Sequence, residues 1–397
     1  MTDFAQTKAM FHLPAEMIYL DGNSLGPLPK ATAARVNDCV TREWGEMVIT
    51  GWNRAGWMAQ PVSYADRIGR LIGAEQGHCV LGDTLSVKVY QALAAALDLV
   101  PDRKVILTDS GNFPSDIYMA EGLIKSLDRG YELRVVAPED VANHINDELT
   151  VLMLTQVDYR TGRLHDMPAL TKAAHDAGAL AIWDLAHSAG AMAVDVATGG
   201  ADFAVGCTYK YLNGGPGAPA FIYVAPRHIE NCQPALSGWL GHAAPFAFEP
   251  GYRPGTGIER MRVGTPPVLQ LAALDAALDI WDQVDLDQIR ATSIALTEQF
   301  ITGVEAACPM LTLASPRYPD QRGSQVSFRF AQGYGAMQAC IAQGVVGDFR
   351  APDIMRFGFT PLFIDADDVT KAVAIIARVM NNRLWDAPAF QQKATVT

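Results

Sequence analysis

The stretch Ala179-Leu-Ala-Ile-Trp-Asp184 decides the predicted fold, because it is an apolar run of strand length that ends in a carboxylate. A second apolar run, Asp202-Phe-Ala-Val-Gly-Cys207, follows it, and Lys210 comes soon after in a glycine-rich loop. Continuous apolar runs are typical of strands buried in a parallel sheet, and ligands collect at the carboxyl ends of such strands. The pattern therefore predicts that Asp184 and Lys210 lie at the same edge of one sheet.

Short apolar runs alternate with helical patterns through the middle of the chain. The predicted strands cover positions 104–108, 133–136, 150–155, 179–184, 202–206 and 219–224, and helical patterns cover 30–50 and 84–99. This alternation predicts an α/β fold with a mostly parallel sheet covered by helices.

The pattern changes after Gly264, where two long helices are predicted at about 267–281 and 285–307. Strands at 324–330 and 355–359 and a last helix at about 367–381 then indicate a small α+β unit. The predicted parts are an N-terminal arm and helix (1–50), a large domain (51–265), a connecting helix (266–290) and a small C-terminal domain (291–397). Because ligand sites favour domain junctions, we expect the small domain to face the site.

Composition is that of an ordinary globular enzyme, with 49% hydrophobic and 19% charged residues among 397. The net charge of −12 argues against nucleic acid or an anionic membrane surface as a partner. The first residues lack a basic segment and an apolar stretch of signal-peptide length, and no run of 18 apolar residues occurs. We therefore expect a cytoplasmic protein.

Lys210 and Asp184 together predict a site for pyridoxal 5'-phosphate (PLP). A lysine amine can form a Schiff base with an aldehyde cofactor, and an aspartate can keep a pyridine nitrogen protonated. The glycines that follow Lys210 let the backbone approach a flat ring closely. Taken singly, each residue has a plainer interpretation, since Asp184 could cap a helix and Lys210 could be a solvated loop lysine.

Six motifs, in the same order along the chain, resemble those of the kynureninase family. They are Tyr19-Leu-Asp-Gly-Asn-Ser-Leu-Gly26, Phe113-Pro-Ser-Asp116, Asp184-Leu-Ala-His187, Tyr209-Lys-Tyr-Leu-Asn213, Gly238-Trp-Leu-Gly-His242 and Met355-Arg-Phe-Gly-Phe-Thr-Pro-Leu362. The resemblance covers nearly the whole chain. It implies PLP fold type I, which is aspartate-aminotransferase-like, in the aminotransferase class V group. It also implies hydrolysis of L-kynurenine to anthranilate and L-alanine, in tryptophan catabolism.

The resemblance implies roles for three catalytic residues. Lys210 is expected to carry PLP and to move the α proton as acid and base. Asp184 is expected to pair with the pyridinium nitrogen, and Tyr209 to reach the phosphate. His187 is expected to orient Asp184 or to border the ring, although a satisfied core histidine fits that position equally well.

Further contacts with PLP are implied for five residues. The start of the helix at Leu85 and Ser86 is expected to hold the phosphate with backbone amides and a hydroxyl, where capping by Thr84 or Ser86 is the plainer alternative. Phe113 is expected to stack on the pyridine face and Asp116 to be a second acid beside the ring. Thr155, at a strand end, is expected near the ring oxygen.

The resemblance also implies a homodimer with shared active sites. In it, Trp239 and Thr265 are expected to reach the phosphate from the partner subunit, and a buried indole N–H does need an acceptor. Trp239 as an anchor of the dimer core is the plainer alternative.

For the α-carboxylate of the substrate the candidate is Arg356, because a guanidinium fits a carboxylate with two hydrogen bonds, and Arg350 is its competitor.

Ser24, Trp52 and Thr265 are expected to line the aromatic half of the substrate pocket. The animal enzymes of the family carry a histidine in place of Trp52 and an asparagine in place of Thr265, so this chain resembles the bacterial type. A pocket without a partner for a buried hydroxyl disfavours it. We therefore expect a preference for kynurenine over 3-hydroxykynurenine.

Three other functions remain open at this point. A cysteine desulfurase would use the same Lys210 and Asp184 but needs a reactive cysteine on a mobile loop, whereas Cys340 lies in a predicted helix and Cys308 precedes a proline. A non-catalytic PLP-binding homologue would not need Lys210, Asp184 and Arg356 together. A metal hydrolase would need more histidines at ligand spacing, and the six scattered cysteines predict reduced thiols and no metal.

Overall fold

The computed structural model describes residues 2–392. In chain order its strands are β1 (Phe11–His12), β2 (Ile18–Tyr19), β3 (Leu28–Pro29), β4 (Cys79–Leu81), β5 (Val105–Asp109), β6 (Glu132–Val136), β7 (Leu149–Thr155), β8 (Leu180–Asp184), β9 (Phe203–Gly206), β10 (Phe221–Val224), β11 (Thr312–Leu313), β12 (Gln325–Arg329), β13 (Val345–Val346), β14 (Asp348–Arg350) and β15 (Ile354–Gly358). Its α-helices are α1 (Phe4–Ala9), α2 (Thr32–Asp38), α3 (Gly51–Arg54), α4 (Gln60–Leu71), α5 (Leu85–Leu99), α6 (Pro114–Leu127), α7 (Met167–Asp176), α8 (Val268–Trp281), α9 (Leu286–Ala307), α10 (Gly333–Ala342) and α11 (Ala366–Asn381). None of the helices within residues 2–392 is long and apolar enough to span a membrane.

A seven-stranded sheet in the order β4-β10-β9-β8-β7-β5-β6 forms the centre of the large domain. Strands β6, β5, β7, β8 and β9 run parallel, and β10 is antiparallel to both of its neighbours. The predicted α/β fold with a mostly parallel sheet is therefore confirmed. The edge strand β4 was not predicted, because its three residues are too few to show a periodic pattern.

Both faces of this sheet are covered, which explains why its strands are continuously apolar. Successive residues of a strand point to opposite faces, so Ile182 of β8 packs in the cluster that contains residues of α5. Its neighbour Trp183 packs on the other side, in the cluster that contains residues of α8. Each large apolar side chain buried in this way stabilises the fold by about 1.5–3 kcal/mol.

The small domain has a four-stranded antiparallel sheet in the order β11-β12-β15-β14. Phe300 of α9 holds its helical layer on the sheet, with its ring centroid 5.0 Å from those of Phe357 and Phe359. In β15 Arg356 directly precedes Phe357, so its side chain points to the opposite face of the sheet. The strand therefore buries a core on one side and presents a guanidinium on the other.

The N-terminal arm joins the two domains. Its strand β2 pairs with β13 of the small domain, and the amide of Gly26 donates to the carbonyl of Tyr209 in the large domain over 2.8 Å. A Cβ at position 26 would stand 2.5 Å from the carbonyl oxygen of Lys210, so only glycine allows this approach. The arm is thereby fixed beside Lys210.

The helical pattern predicted over 30–50 is interrupted. After α2 the chain makes a π-helical turn over Cys39–Trp44 and a 3₁₀ turn over Val48–Thr50. Glu43 is buried within the π-helical turn, where it accepts a hydrogen bond from the indole of Trp57 over 3.0 Å and pairs with Arg35 at 3.1 Å. These contacts with distant residues, absent from the local pattern, favour the wider turn at this point.

Asp202 is a buried carboxylate at the amino end of the sheet. It accepts hydrogen bonds from His175 (2.8 Å), the amide of Ala181 (2.7 Å), Arg227 (2.6 Å) and His228 (2.7 Å). Burial alone would raise the pKa of Asp202, but these donors hold it well below its ordinary value. The carboxylate therefore stabilises the folded state wherever it is ionised.

We predict that Asp202→Asn lowers the free energy of unfolding at pH 7 by about 2–4 kcal/mol, because it leaves buried donors without a charged acceptor. The unfolded pKa of an aspartate is about 4, so the carboxylate contributes fully above that pH and loses its contribution as the pH falls below it. Melting temperatures at pH 7 and pH 3.5 should therefore show a difference between variant and wild type that shrinks at the lower pH. Asp176→Asn, at an exposed pair with Lys172, is the control and should change neither melting temperature.

Candidate active site

Asp184 and Lys210 lie at the carboxyl edge of two neighbouring parallel strands. Asp184 ends β8 and stands opposite Val205 of β9, and Lys210 follows β9 in the next loop. Both side chains are buried. The Nζ atom of Lys210 lies 2.9 Å from Nε2 of His187, so the lysine and the histidine can share a hydrogen bond. The strand arrangement thus brings an amine, an imidazole and a carboxylate into one buried space.

The carboxylate of Asp184 is partly compensated. Burial is the main cause that raises its pKa to about 6, while the charge of Lys210, the amide of Ala186 (2.9 Å) and the hydroxyl of Thr155 (3.5 Å) lower it. Thr155, at the end of β7, therefore contacts Asp184. A positively charged partner would hold this carboxylate in its ionised form.

Asp116 is a second buried acid beside Asp184. Burial first, and then the charge of Asp184, raise the pKa of Asp116 well above its usual value. Neither of its carboxyl oxygens has a hydrogen-bond partner, although both are buried. Two buried acids, one without any partner, fit a ligand that brings its own donors, as a protonated pyridine ring with ring substituents does.

His187 contacts Lys210 and makes no hydrogen bond to Asp184 within the described residues. Its Nε2 faces the lysine, and its Nδ1 is buried without a partner. Burial, followed by the nearby charges of Lys210 and Arg356, lowers the pKa of His187 well below its ordinary value. A neutral imidazole with an acceptor nitrogen beside Lys210 can take or return a proton of the amine.

Two aromatic rings flank Lys210. The ring centroids of Phe113 and Tyr209 each lie 5.8 Å from its Nζ atom. Phe113 precedes α6 and is half-exposed, and its ring meets that of Tyr159 edge to face at 5.1 Å. Phe113 is therefore placed where it can cover the face of a flat ligand.

The start of α5 lies at the same edge of the sheet, since β4 runs parallel to β9 across β10. Thr84 occupies the N-cap position, but its side chain makes no capping hydrogen bond. Because the first amides of a helix have no partner within it, those of Leu85 and Ser86 are suited to an anion such as a phosphate. The residues at this edge therefore fit PLP at both its ring and its phosphate.

Arg356 is almost fully buried, at 1% exposure, and stands on the small-domain side. Its guanidinium donates to Asp348, Ser24 and the carbonyl of Tyr159. Since the ring of Tyr159 contacts Phe113, which flanks Lys210, one chain brings Arg356 and Lys210 to the same site. Arg350 reaches the same Ser24 over 3.2 Å.

Trp52, Thr265 and Trp239 are not brought to Lys210 within one chain. Trp52 and Thr265 line an apolar cavity of about 850 Å³, between the N-terminal arm and α8, whose walls do not include Lys210, Asp184 or Arg356. Trp239 is half-exposed and lies on the surface against Phe246, with ring centroids 5.8 Å apart.

Sequence reasoning missed Asp348, Asp21 and Tyr159 as parts of this site. Asp348 stands directly opposite Arg356 on β14, a strand too short to be predicted. Asp21 lies within a motif that was noticed, without a role assigned to it. Tyr159 takes part through its backbone carbonyl, for which side-chain chemistry gives no signal.

Curated relatives match nearly the full length of the chain. The chain is 48% identical over 400 residues to a protein of Burkholderia pseudomallei (strain 1106a) named kynureninase, with 99% of this chain and 96% of that protein covered. It is 47% identical, with the same coverage, to a kynureninase of Pseudomonas fluorescens. Residues 289–376 match the family model of the kynureninase C-terminal domain.

Solved structures with the same fold share little sequence with the chain. The apo cysteine desulfurase of Thermococcus onnurineus NA1 superposes with a TM-score of 0.80 at 18% identity, over 95% of this chain and 98% of that one. A variant of the protein C-DES, with glycine covalently linked to its PLP cofactor, superposes with a TM-score of 0.80 at 16% identity, over 95% and 99%. These similarities show that the chain has the same fold as these two proteins.

We predict that borohydride reduction of the PLP-loaded protein attaches the cofactor to Lys210, because this amine lies against His187 at the strand edge. Peptide mapping should find the label on Lys210 and lose it in Lys210→Ala. Lys88→Met is the control, since Lys88 is also buried but is bonded to Gln91 at 2.9 Å, and this variant should keep the label. A label on Lys88 in the wild type would contradict the assignment.

Proposed function

The chain belongs to the kynureninase family and so has the activity of a PLP-dependent hydrolase of kynurenine, and we propose that Lys210 and its neighbours convert L-kynurenine to anthranilate and L-alanine in preference to 3-hydroxykynurenine. The observation that carries this proposal is that Lys210 and the acids Asp116 and Asp184, at the edge of the large sheet, face Arg356 of the small domain, whose charge acts on His187 beside Lys210. The proposed site lies between the large domain expected at 51–265 and the small domain expected at 291–397. We also propose a cytoplasmic location.

PLP, when bound, supplies an aldehyde that takes up amines and a ring that draws electrons from the adjacent carbon. Asp184 supports this chemistry because its carboxylate can accept the hydrogen bond of a protonated ring nitrogen. Lys210 is the proposed acid and base for the α proton, and His187, 2.9 Å away, is placed to hold the proton that its Nζ releases. Asp116, raised in pKa by burial and by Asp184, can donate a proton to a ring substituent.

The phosphate is the proposed ligand of the α5 start and of three side chains. The amides of Leu85 and Ser86 would bind it from one chain, together with the hydroxyl of Tyr209. Trp239 and Thr265 would complete the shell from the partner subunit. Support for this contribution comes from the half-exposed indole of Trp239.

The substrate is proposed to bind with its α-carboxylate at Arg356 and Arg350. Ser24 would stand beside this carboxylate, since its hydroxyl already joins both guanidinium groups. Trp52 and Thr265 would cover the aromatic half. Neither residue has a group matched to a 3-hydroxyl in the way of a histidine and an asparagine, which supports the preference for kynurenine.

A homodimer with shared sites is the proposed assembly. The apolar side chains of Trp239, Phe246 and Phe248 are exposed by 40%, 63% and 80%, and an aromatic patch of this kind on a globular chain marks an interface. Closed two-fold symmetry is the commonest form of association for such enzymes. A second chain would cover this patch and bring Trp239 to the neighbouring site.

The desulfurase alternative is disfavoured by the cysteines, all six of which are buried and free. A nucleophilic cysteine must be accessible, and burial raises the pKa of Cys340 to about 12. The alternative of a non-catalytic homologue is tested directly by the product analysis below.

We predict that the purified protein with PLP releases anthranilate and L-alanine from L-kynurenine, measured by anthranilate fluorescence and amino-acid analysis.

We predict that Trp52→His combined with Thr265→Asn raises the ratio of kcat/KM for 3-hydroxykynurenine to that for kynurenine by about tenfold or more, because the new side chains can bond the hydroxyl. Trp44→His, in the same cavity wall, is the matched control and should leave the ratio unchanged. No anthranilate at all would support a non-catalytic homologue, and a constant ratio would contradict the account of the pocket.

We predict that Lys210→Ala and Trp239→Ala chains, each inactive alone, recover activity when mixed. One site of a mixed dimer carries both lesions and the other carries none, so equal mixing should restore about a quarter of the wild-type activity. The control pairs Lys210→Ala with Arg356→Ala, which the chain brings to the same site and which should therefore restore nothing. Mixed dimers confirmed by native mass spectrometry without recovered turnover would show that Trp239 serves its own chain.

A further inference from the structure

The guanidinium of Arg356 is held by hydrogen bonds within the chain in the absence of substrate. Its Nε donates to Asp348 over 2.7 Å, and its Nη2 donates both to Asp348 and to the hydroxyl of Ser24, the latter over 2.6 Å. Its Nη1 donates to the carbonyl of Tyr159. Four of the five N–H groups of the guanidinium are therefore engaged, one on Nε, one on Nη1 and two on Nη2.

Asp348 takes the edge of the guanidinium formed by Nε and Nη2. It can do so because Asp348 and Arg356 are directly opposed residues of the neighbouring strands β14 and β15, with side chains on the same face. A planar guanidinium held along this edge directs its Nη1 and Nη2 end away from Asp348. The rotation of Arg356 is thus fixed by a strand pairing.

Ser24 is the contact most easily exchanged at that end. Its hydroxyl donates to Asp348 over 2.5 Å and accepts from Arg356 and Arg350. A carboxylate that replaced the hydroxyl as acceptor of the Nη2 proton could also use the free N–H on Nη1, which gives two hydrogen bonds. Arg356 can therefore bind a carboxylate through two hydrogen bonds without moving.

Asp348 is the carboxylate that compensates both arginines of the cluster. It is paired with Arg356 and with Arg350, the latter at 2.6 Å. Burial would raise the pKa of Asp348, but the two arginines hold it below its usual value. Asp21 is the other acid here, and burial, followed by the charge of Asp348, raises its pKa above the ordinary value. Asp348 is therefore the ionised partner of Arg356 in this cluster.

We propose that Asp348 is a positioning residue, which orients the guanidinium of Arg356 to receive the α-carboxylate of the substrate. The proposal rests on the proposed function of Arg356. It extends that function, because binding of the carboxylate then depends on a residue that need not touch the substrate. Without Asp348, Arg356 would lose the acceptor that fixes its rotation, and its buried guanidinium would lose the carboxylate that pairs with it.

The test is a double-mutant cycle with L-kynurenine on the PLP-loaded dimer. The variants are Asp348→Asn, Arg356→Lys and the two combined. Asp348→Asn should raise KM by about tenfold or more, as expected for residues in one hydrogen-bonded network, while kcat falls less than KM rises. In the Arg356→Lys background the same change should raise KM by less than about threefold, because the group that Asp348 orients is no longer there.

Asp353→Asn is the matched control. It removes a carboxylate from Arg329, an exposed pair at 3.1 Å on the same small-domain sheet, and should leave KM and kcat unchanged. Asp348→Glu keeps the charge and should recover part of the rise in KM. If Asp348→Asn fails to fold, Ser24→Ala replaces it in the cycle and should also raise KM less in the Arg356→Lys background.

Three outcomes would overturn the proposal. A fall in kcat at constant KM in Asp348→Asn would mean a loss of active protein and no positioning. Equal rises in KM in both backgrounds would mean that Asp348 acts independently of Arg356. An unchanged KM in Arg356→Lys itself would overturn the carboxylate role of Arg356 and the positioning with it, which distinguishes a failure of the proposed function from a failure of the inference alone.

Discussion

The burial of Asp184 and Lys210 side by side is the constraint on which the rest of the site depends. Parallel strands β8 and β9 end at the same sheet edge, so the chain has no means of exposing these groups without breaking the sheet. An unpaired buried charge would cost several kcal/mol. The amide of Ala186, the hydroxyl of Thr155 and the imidazole of His187 reduce this cost, and Asp116 stays without a partner until a ligand with donors arrives.

The second half of the site is built on the same principle, with arginines in place of the lysine. Arg356 is compensated by Asp348 on the neighbouring strand, and the N-terminal arm adds the hydroxyl of Ser24. Because the arm also bonds to Tyr209 through Gly26, it links the two charged clusters directly. The separation of Lys210 from Arg356 is therefore determined by the arm and by the contact of Tyr159 with Phe113.

The proteins that share only the fold of this chain differ in name from the proteins that share its sequence. Cysteine desulfurases share its architecture at a TM-score of 0.80 but only 18–19% identity, whereas kynureninases match it at 47–48% over the full chain. The fold is therefore shared by proteins that are named for different reactions. Ser24 on the arm and Arg356 on the small domain, which are proposed to bind the substrate, lie outside the large sheet.

The sequence by itself determined the strands of the large sheet apart from the edge strand β4, most of the long helices and the family, because continuous apolar runs and short motifs are local signals. It also placed Asp184 and Lys210 at one edge, since strand direction follows from the alternation of elements. Only the tertiary structure decided the pairing of Asp348 with Arg356, the contact of Tyr159 through its carbonyl and the separation of Trp52 and Thr265 from Lys210 within one chain. These features depend on which distant segments pack against each other and on which charged groups are buried away from water. No local pattern of residues encodes the packing or the burial.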